Sequence, residues 1–137
     1  MKKLFHQSKY FKIEYDPKAN ILLCWWEPDM VHISELEFKN ELLKVTEAVK
    51  EYRPKAIFFD STKAFYPLTD EINQWILENI TKVIVENGVK KISYALPMEV
   101  FTRIGLQMFV EQSIATFPNF LRKFFPTVEE AIQWAKE

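Results

Sequence analysis

Asp60, Ser61 and Thr62 are the strongest polar cluster of this sequence, and they directly follow the apolar run Ala56-Ile57-Phe58-Phe59. An acid and two hydroxyls at the carboxyl end of a central strand stand where open α/β sheets hold their ligands. The alternative to a binding module is a small-molecule enzyme using Asp60. The same residue types also satisfy free amides in loops, their ordinary role. Asp70 and Glu71 fall at a helix start, where the macrodipole favours carboxylates and where they would repel a phosphate. Cys24 and His32 could be imagined as nucleophile and base. Cys24, however, lies in the unbroken apolar run Ile21-Leu22-Leu23-Cys24-Trp25-Trp26, where burial raises a thiol pKa and makes it inert. His6 and His32 lack the paired spacing of a zinc helix, so no metal site is expected. With Gly88 and Gly105 as the only glycines, no phosphate-cradling loop of Rossmann or P-loop type can be written. The chemistry points to a module without catalytic residues and without a cofactor.

Composition narrows the classes further. The 137 residues suit one domain, and 48% hydrophobic against 27% charged residues is the balance of a globular chain. Eighteen basic against nineteen acidic side chains leave a net charge of −1, which gives no global attraction to nucleic acid. No apolar run reaches the ~18 residues of a transmembrane segment, and the first residues lack the pattern of a signal peptide. The lone cysteine fits a reducing compartment, so the expected location is cytoplasmic. Aromatic residues reach 15%, twelve of them Phe and four Trp. Such a surplus suggests a pocket or an interface, and a homodimer is the expected use of the latter.

The elements that must position these residues can be read from hydrophobic period and capping. Phe11, Ile13 and Tyr15 alternate with charged residues as a half-wet strand, and Asp16-Pro17-Lys18-Ala19-Asn20 turns the chain into the apolar run above, forming an antiparallel hairpin. Ser34-Glu35-Leu36-Glu37 is a capping box that opens a helix to about Tyr52, closed by Arg53-Pro54. Residues 56–60 form the next strand. A second helix runs from Thr69-Asp70 to Asn87-Gly88, a strand from Ile92 to Leu96, and a third helix from about Glu99 to Thr116 with Phe101, Ile104, Met108 and Ile114 among its apolar positions. Phe120 to Phe125 reads as an edge strand, and Thr127-Val128-Glu129-Glu130 caps a final helix. Gly105, inside the third helix, suggests close packing. The expectation is a single α/β domain over 1–137, a mixed sheet of about five strands with four helices, preceded by a loosely ordered segment 1–9.

The order of elements, residues Ala56 to Asp60, and the stretch Gly88-Val89-Lys90-Lys91-Ile92-Ser93-Tyr94-Ala95-Leu96-Pro97 resemble the STAS-like superfamily and its SpoIIAA-like branch of small bacterial proteins. In the anti-sigma-factor antagonists of that superfamily, a Ser of an Asp-Ser motif at the helix start after the third strand is phosphorylated by a partner kinase. Here that place holds Pro67-Leu68-Thr69-Asp70. Thr69 is the hydroxyl the resemblance offers for phosphorylation, but Thr at a helix start is ordinarily an N-cap, and the antagonist role is not carried over. Other SpoIIAA-like proteins resemble lipid-binding CRAL-TRIO domains, which implies a hydrophobic ligand. The expectation is thus a binding or regulatory module whose site, at the carboxyl ends of the strands, is bounded by Asp60, Ser61, Phe65, Tyr66, Pro97 and Phe101. Its occupant is a partner protein or an apolar small molecule. An enclosed apolar pocket would argue for the small molecule, and a flat exposed patch for the partner.

Overall fold

In the computed structural model, which describes all of Met1–Glu137, six strands lie side by side in chain order: β1 (Lys3–Gln7), β2 (Phe11–Asp16), β3 (Ile21–Trp26), β4 (Ala56–Asp60), β5 (Lys91–Ala95) and β6 (Leu121–Phe125). The first three are antiparallel and the last three join β3 in parallel. The turn after β2 works as its composition requires. Asp16 Oδ1 accepts from the amides of Lys18 and Ala19 at 3.0 and 3.2 Å, and Asn20 takes the left-handed conformation with φ 57°, which Asn tolerates better than most residues. The expected five strands become six because 1–9 is not loose. Lys3–Gln7 pairs with β2 through a register shift between Leu4 and His6, Phe5 meets Tyr52 edge-on at 5.9 Å, and His6 reaches Glu41.

Four helices complete the fold: α1 (Glu35–Tyr52), α2 (the continuous segments Asp70–Ile76, Leu77–Thr81 and Lys82–Glu86), α3 (Val100–Thr116) and α4 (Val128–Lys136). The first three connect successive parallel strands in the same direction along the sheet. Right-handed crossovers therefore bring all three to one face. That face carries Leu22, Cys24, Trp26, Ile57, Phe59, Ile92 and Tyr94 and holds the larger core. The opposite face is covered by α4, whose Ala131 and Ala135 lie close against Ala56, Phe58 and Ala95. The aromatic surplus is largely paired within the chain, for example in the run Phe11–Trp26–Phe38–Tyr66 with ring centroids 4.1, 5.4 and 4.0 Å apart.

Local signals set the helix ends. Ser34 and Glu37 form the reciprocal capping box at the start of α1. Its end differs from expectation. Arg53, placed before Pro54 and so expected to be extended, is left-handed with φ 46°, and its amide donates to Val49 O at 2.9 Å. Closing the last turn of an eighteen-residue helix outweighs the steric preference. In α2, Leu77–Thr81 is a π turn that the sequence did not announce. It brings Ile76, Leu77, Ile80, Thr81 and Ile84 inward together. In α3 the orientation also departs from expectation: Phe101, Ile104, Met108 and Ile114 face water, while Thr102, Leu106, Phe109, Val110 and Ser113 are buried. The phase is fixed by Gly105, whose missing Cβ would stand 3.3 Å from Leu68 Cβ, and by the Glu99 N-cap.

Candidate functional site

Between the large-core face of the sheet and helices α1, α2 and α3 lies a cavity of about 90 Å³ whose wall is mostly apolar, fifteen of nineteen lining residues being hydrophobic. Its floor is Trp26, Phe59, Ile92 and Tyr94 from the strands, and α2 supplies Ile76, Ile80, Thr81 and Ile84 through the π turn. α3 contributes Thr102, Leu106 and Phe109. Ser61, Ala64, Tyr66 and Pro97 border it at the carboxyl ends of the strands, and Phe65, Met98 and Phe101 stand exposed beside that border, at 51%, 80% and 83%.

The border is held by short polar bonds. Glu99 Oε1 accepts from the amide and the hydroxyl of Thr102 at 2.9 and 2.7 Å, and Oε2 accepts from the Phe101 amide at 2.8 Å. The Thr102 hydroxyl in turn accepts from the Tyr66 amide at 3.2 Å, tying the loop after β4 to the start of α3. The Thr102 hydroxyl bond, followed by that of the Phe101 amide, holds the Glu99 carboxyl below its ordinary pKa. On the other side the Phe65 amide points at Met30 Sδ, 3.0 Å away. Burial, and then the charge of Glu35, raises the pKa of Tyr66. Burial also pushes the Tyr94 phenol and the Cys24 thiol up.

Of the six residues expected to bound the site, Ser61, Tyr66 and Pro97 line the cavity. Tyr66 is half-buried rather than exposed, because its ring stacks on Phe38 at 4.0 Å. Phe65 and Phe101 lie outside, on the rim. Asp60 belongs to the other face of the sheet by the alternation of β4: Phe59 lines the cavity, and its neighbour points away. The Asp60 carboxylate is engaged by Thr62, accepting from its amide at 3.0 Å and its hydroxyl at 2.6 Å. Thr69 caps α2, its hydroxyl accepting from the Ile72 amide at 3.2 Å.

Sequence reasoning missed two polar centres. Glu41 is buried in α1 and bonds both His6 and Ser8. Its place on the helical stripe, one residue before Leu42, was the available signal. Arg122 falls in the segment that reads as an edge strand, yet strand alternation puts it on the cavity face beside Ile92. No helix is long and apolar enough to cross a membrane. Comparison with protein-family models, with curated proteins and with solved structures gives no match.

Proposed function

We propose that this domain is a non-enzymatic binding module, of the SpoIIAA-like kind the sequence resembles, that takes an apolar small molecule into the cavity beneath α3. The observation that carries the reading is the predominantly apolar wall at the carboxyl ends of parallel strands, bordered by exposed Phe65, Met98 and Phe101. The engagement of Asp60 by Thr62 supports a binding role over an enzymatic one. At about 90 Å³ the space is smaller than the roughly 150 Å³ that accommodates benzene. A chain-like occupant therefore has to displace α3 outward, a helix whose far side is wet. The lone buried cysteine supports a cytoplasmic setting.

Native mass spectrometry of protein purified from cells, followed by uptake of a fluorescent apolar dye, tests the reading. The expected result is a retained apolar molecule or dye binding in the parent, reduced at least tenfold in Leu106→Trp, which fills the cavity, with the circular dichroism spectrum preserved. A parent protein that retains nothing and takes up no dye would falsify it.

The outward row Phe101, Ile104 and Met108 favours a second reading, in which α3 is the docking face for a partner protein or a second copy of the chain. Phe101→Glu would then abolish co-purification or self-association in light scattering while leaving dye uptake intact.

A further inference from the structure

Arg122 is a cation to which the fold supplies no carboxylate. The parallel register sets it beside Ile92, with Phe124 beside Tyr94. Because Ile92 and Tyr94 line the cavity, Arg122 lies on the same face of the sheet, one strand beyond the wall. Its Nη2 donates to the Phe117 carbonyl at 3.0 Å, and the Phe120 ring lies 5.1 Å from the guanidinium carbon. Nε and Nη1 are buried with no hydrogen-bond partner. Burial disfavours the charged form of this group, and the nearby Tyr94 phenol, itself pushed up by burial, stays neutral. Arg122 as a whole is half-buried, but a guanidinium keeps its proton in proteins, so two buried donors left idle on it favour an anionic acceptor.

The position also gives a direction. Ile92 marks the end of the cavity nearest Arg122, while Pro97, five residues on, marks the border beside Phe65 and Phe101. At about 3.3 Å per residue the two ends are some 16 Å apart. Building on the apolar-cavity reading, we propose that Arg122 anchors the ligand's head: the occupant is an amphiphile with one carboxylate, held by Nε and Nη1 at the inner end, its apolar body running along β5 toward Pro97. Charge-assisted bonds of this type are stronger than neutral ones, and the ligand would satisfy donors that are otherwise orphaned. The competing role for Arg122 is structural, as a clamp on the last turn of α3 through Phe117.

Titration calorimetry with decanoate and with decanol, matched in chain and different in head, separates these roles. The parent protein at pH 7 is expected to bind decanoate at least tenfold more tightly than decanol. Arg122→Gln is expected to bring decanoate down to the level of decanol and to leave decanol unchanged. Should that variant not fold, the parent alone decides: its preference for decanoate has to disappear as the pH falls through the carboxylate range, while decanol affinity stays level. Equal affinities in the parent, or equal loss of both ligands in a folded variant, would overturn the anchor. Failure of both to bind while the apolar dye still enters overturns the anchor alone. Failure of the dye as well removes the cavity reading and the anchor with it.

Discussion

Glu41 joins three segments with one carboxylate: Oε1 stands 2.7 Å from His6 Nε2, and Oε2 accepts from the Ser8 hydroxyl. That hydroxyl also accepts from the amides of Tyr10 and Phe11 at 3.1 and 3.2 Å, so the corner between β1 and β2 is fastened to α1 through Glu41. Removing one partner of a largely buried polar set leaves the others unsatisfied, which costs about 1–3 kcal/mol. Glu41→Ala is accordingly expected to lower unfolding free energy by about 2 kcal/mol in urea titrations, with faster amide exchange in Lys3–Gln7 than elsewhere in the sheet. Glu99 makes a pH-dependent contribution. Its folded pKa lies below the ordinary 4.5, so its stabilisation is fully present above that value and is lost as pH falls through the depressed folded pKa. Protection of the amides at the start of α3, taken relative to the intrinsic exchange rate at each pH, should fall progressively on acidification below pH 4.5. Glu99→Gln should flatten this dependence, and an unchanged profile in the variant would refute the assignment.

At the scale of elements, the π turn in α2 has a geometric test. It adds a residue to one turn, and an α-helix rotates about 100° per residue. Deleting exposed Asn79 within Leu77–Thr81 should restore regular winding and leave Lys82–Glu86 in its present phase, with Ile84 still on the cavity. We expect dye uptake to persist, whereas its loss together with destabilisation by more than about 2 kcal/mol, comparable to removing a large core side chain, would refute the one-residue offset. Gly105 offers a complementary probe, because helix propensity alone favours Ala by about 1 kcal/mol. The 3.3 Å approach to Leu68 Cβ opposes that gain. Gly105→Val, bulkier and β-branched, should destabilise by about 1–3 kcal/mol, whereas retained stability would mean that the α3 to Leu68 contact yields easily. At the other end of the chain, Lys55 and Lys91 donate to the carbonyls of Lys136 and Trp134 at 2.6 and 2.7 Å. Two ammonium groups thus complement the negative end of α4.

For the whole molecule, the alternation of helices and strands was legible because each element satisfies its own local rule: the capping box at Ser34, the half-wet alternation from Phe11, the unbroken apolar runs of β3 and β4. β1 was not legible, since Lys3-Leu4-Phe5-His6-Gln7 has little alternation and draws its order from contacts with Tyr52 and Glu41, far along the chain. The phase of α3 escaped for the same reason. Phe101, Ile104 and Met108 share a face as well as Leu106, Phe109 and Val110 do, and the approach of Leu68 to Gly105 selects between them. The site was legible only at its rim. Ser61, Tyr66 and Pro97 announce themselves by following strands, whereas the wall comes from α1, α2, α3 and three strands together, and no single segment of sequence carries its pattern.

The spatial order of the strands equals their order in the chain, and this governs how the molecule can be made. Each new strand docks on the edge left by the one before it, so no segment has to wait for a later one in order to pair. The hairpin of β2 and β3 can form first, α1 can cover it while β4 is still being synthesised, and growth proceeds toward β6 in one direction. Pairing between sequence neighbours keeps loop-closure costs small. β6 and α4 then join last. Substitutions that weaken their packing, such as Ala135→Gly, are expected to speed unfolding and leave the refolding rate nearly unchanged, while Ile13→Val in the hairpin should slow refolding. Stopped-flow chevrons of the two variants would decide whether the chain closes in the order in which it leaves the ribosome.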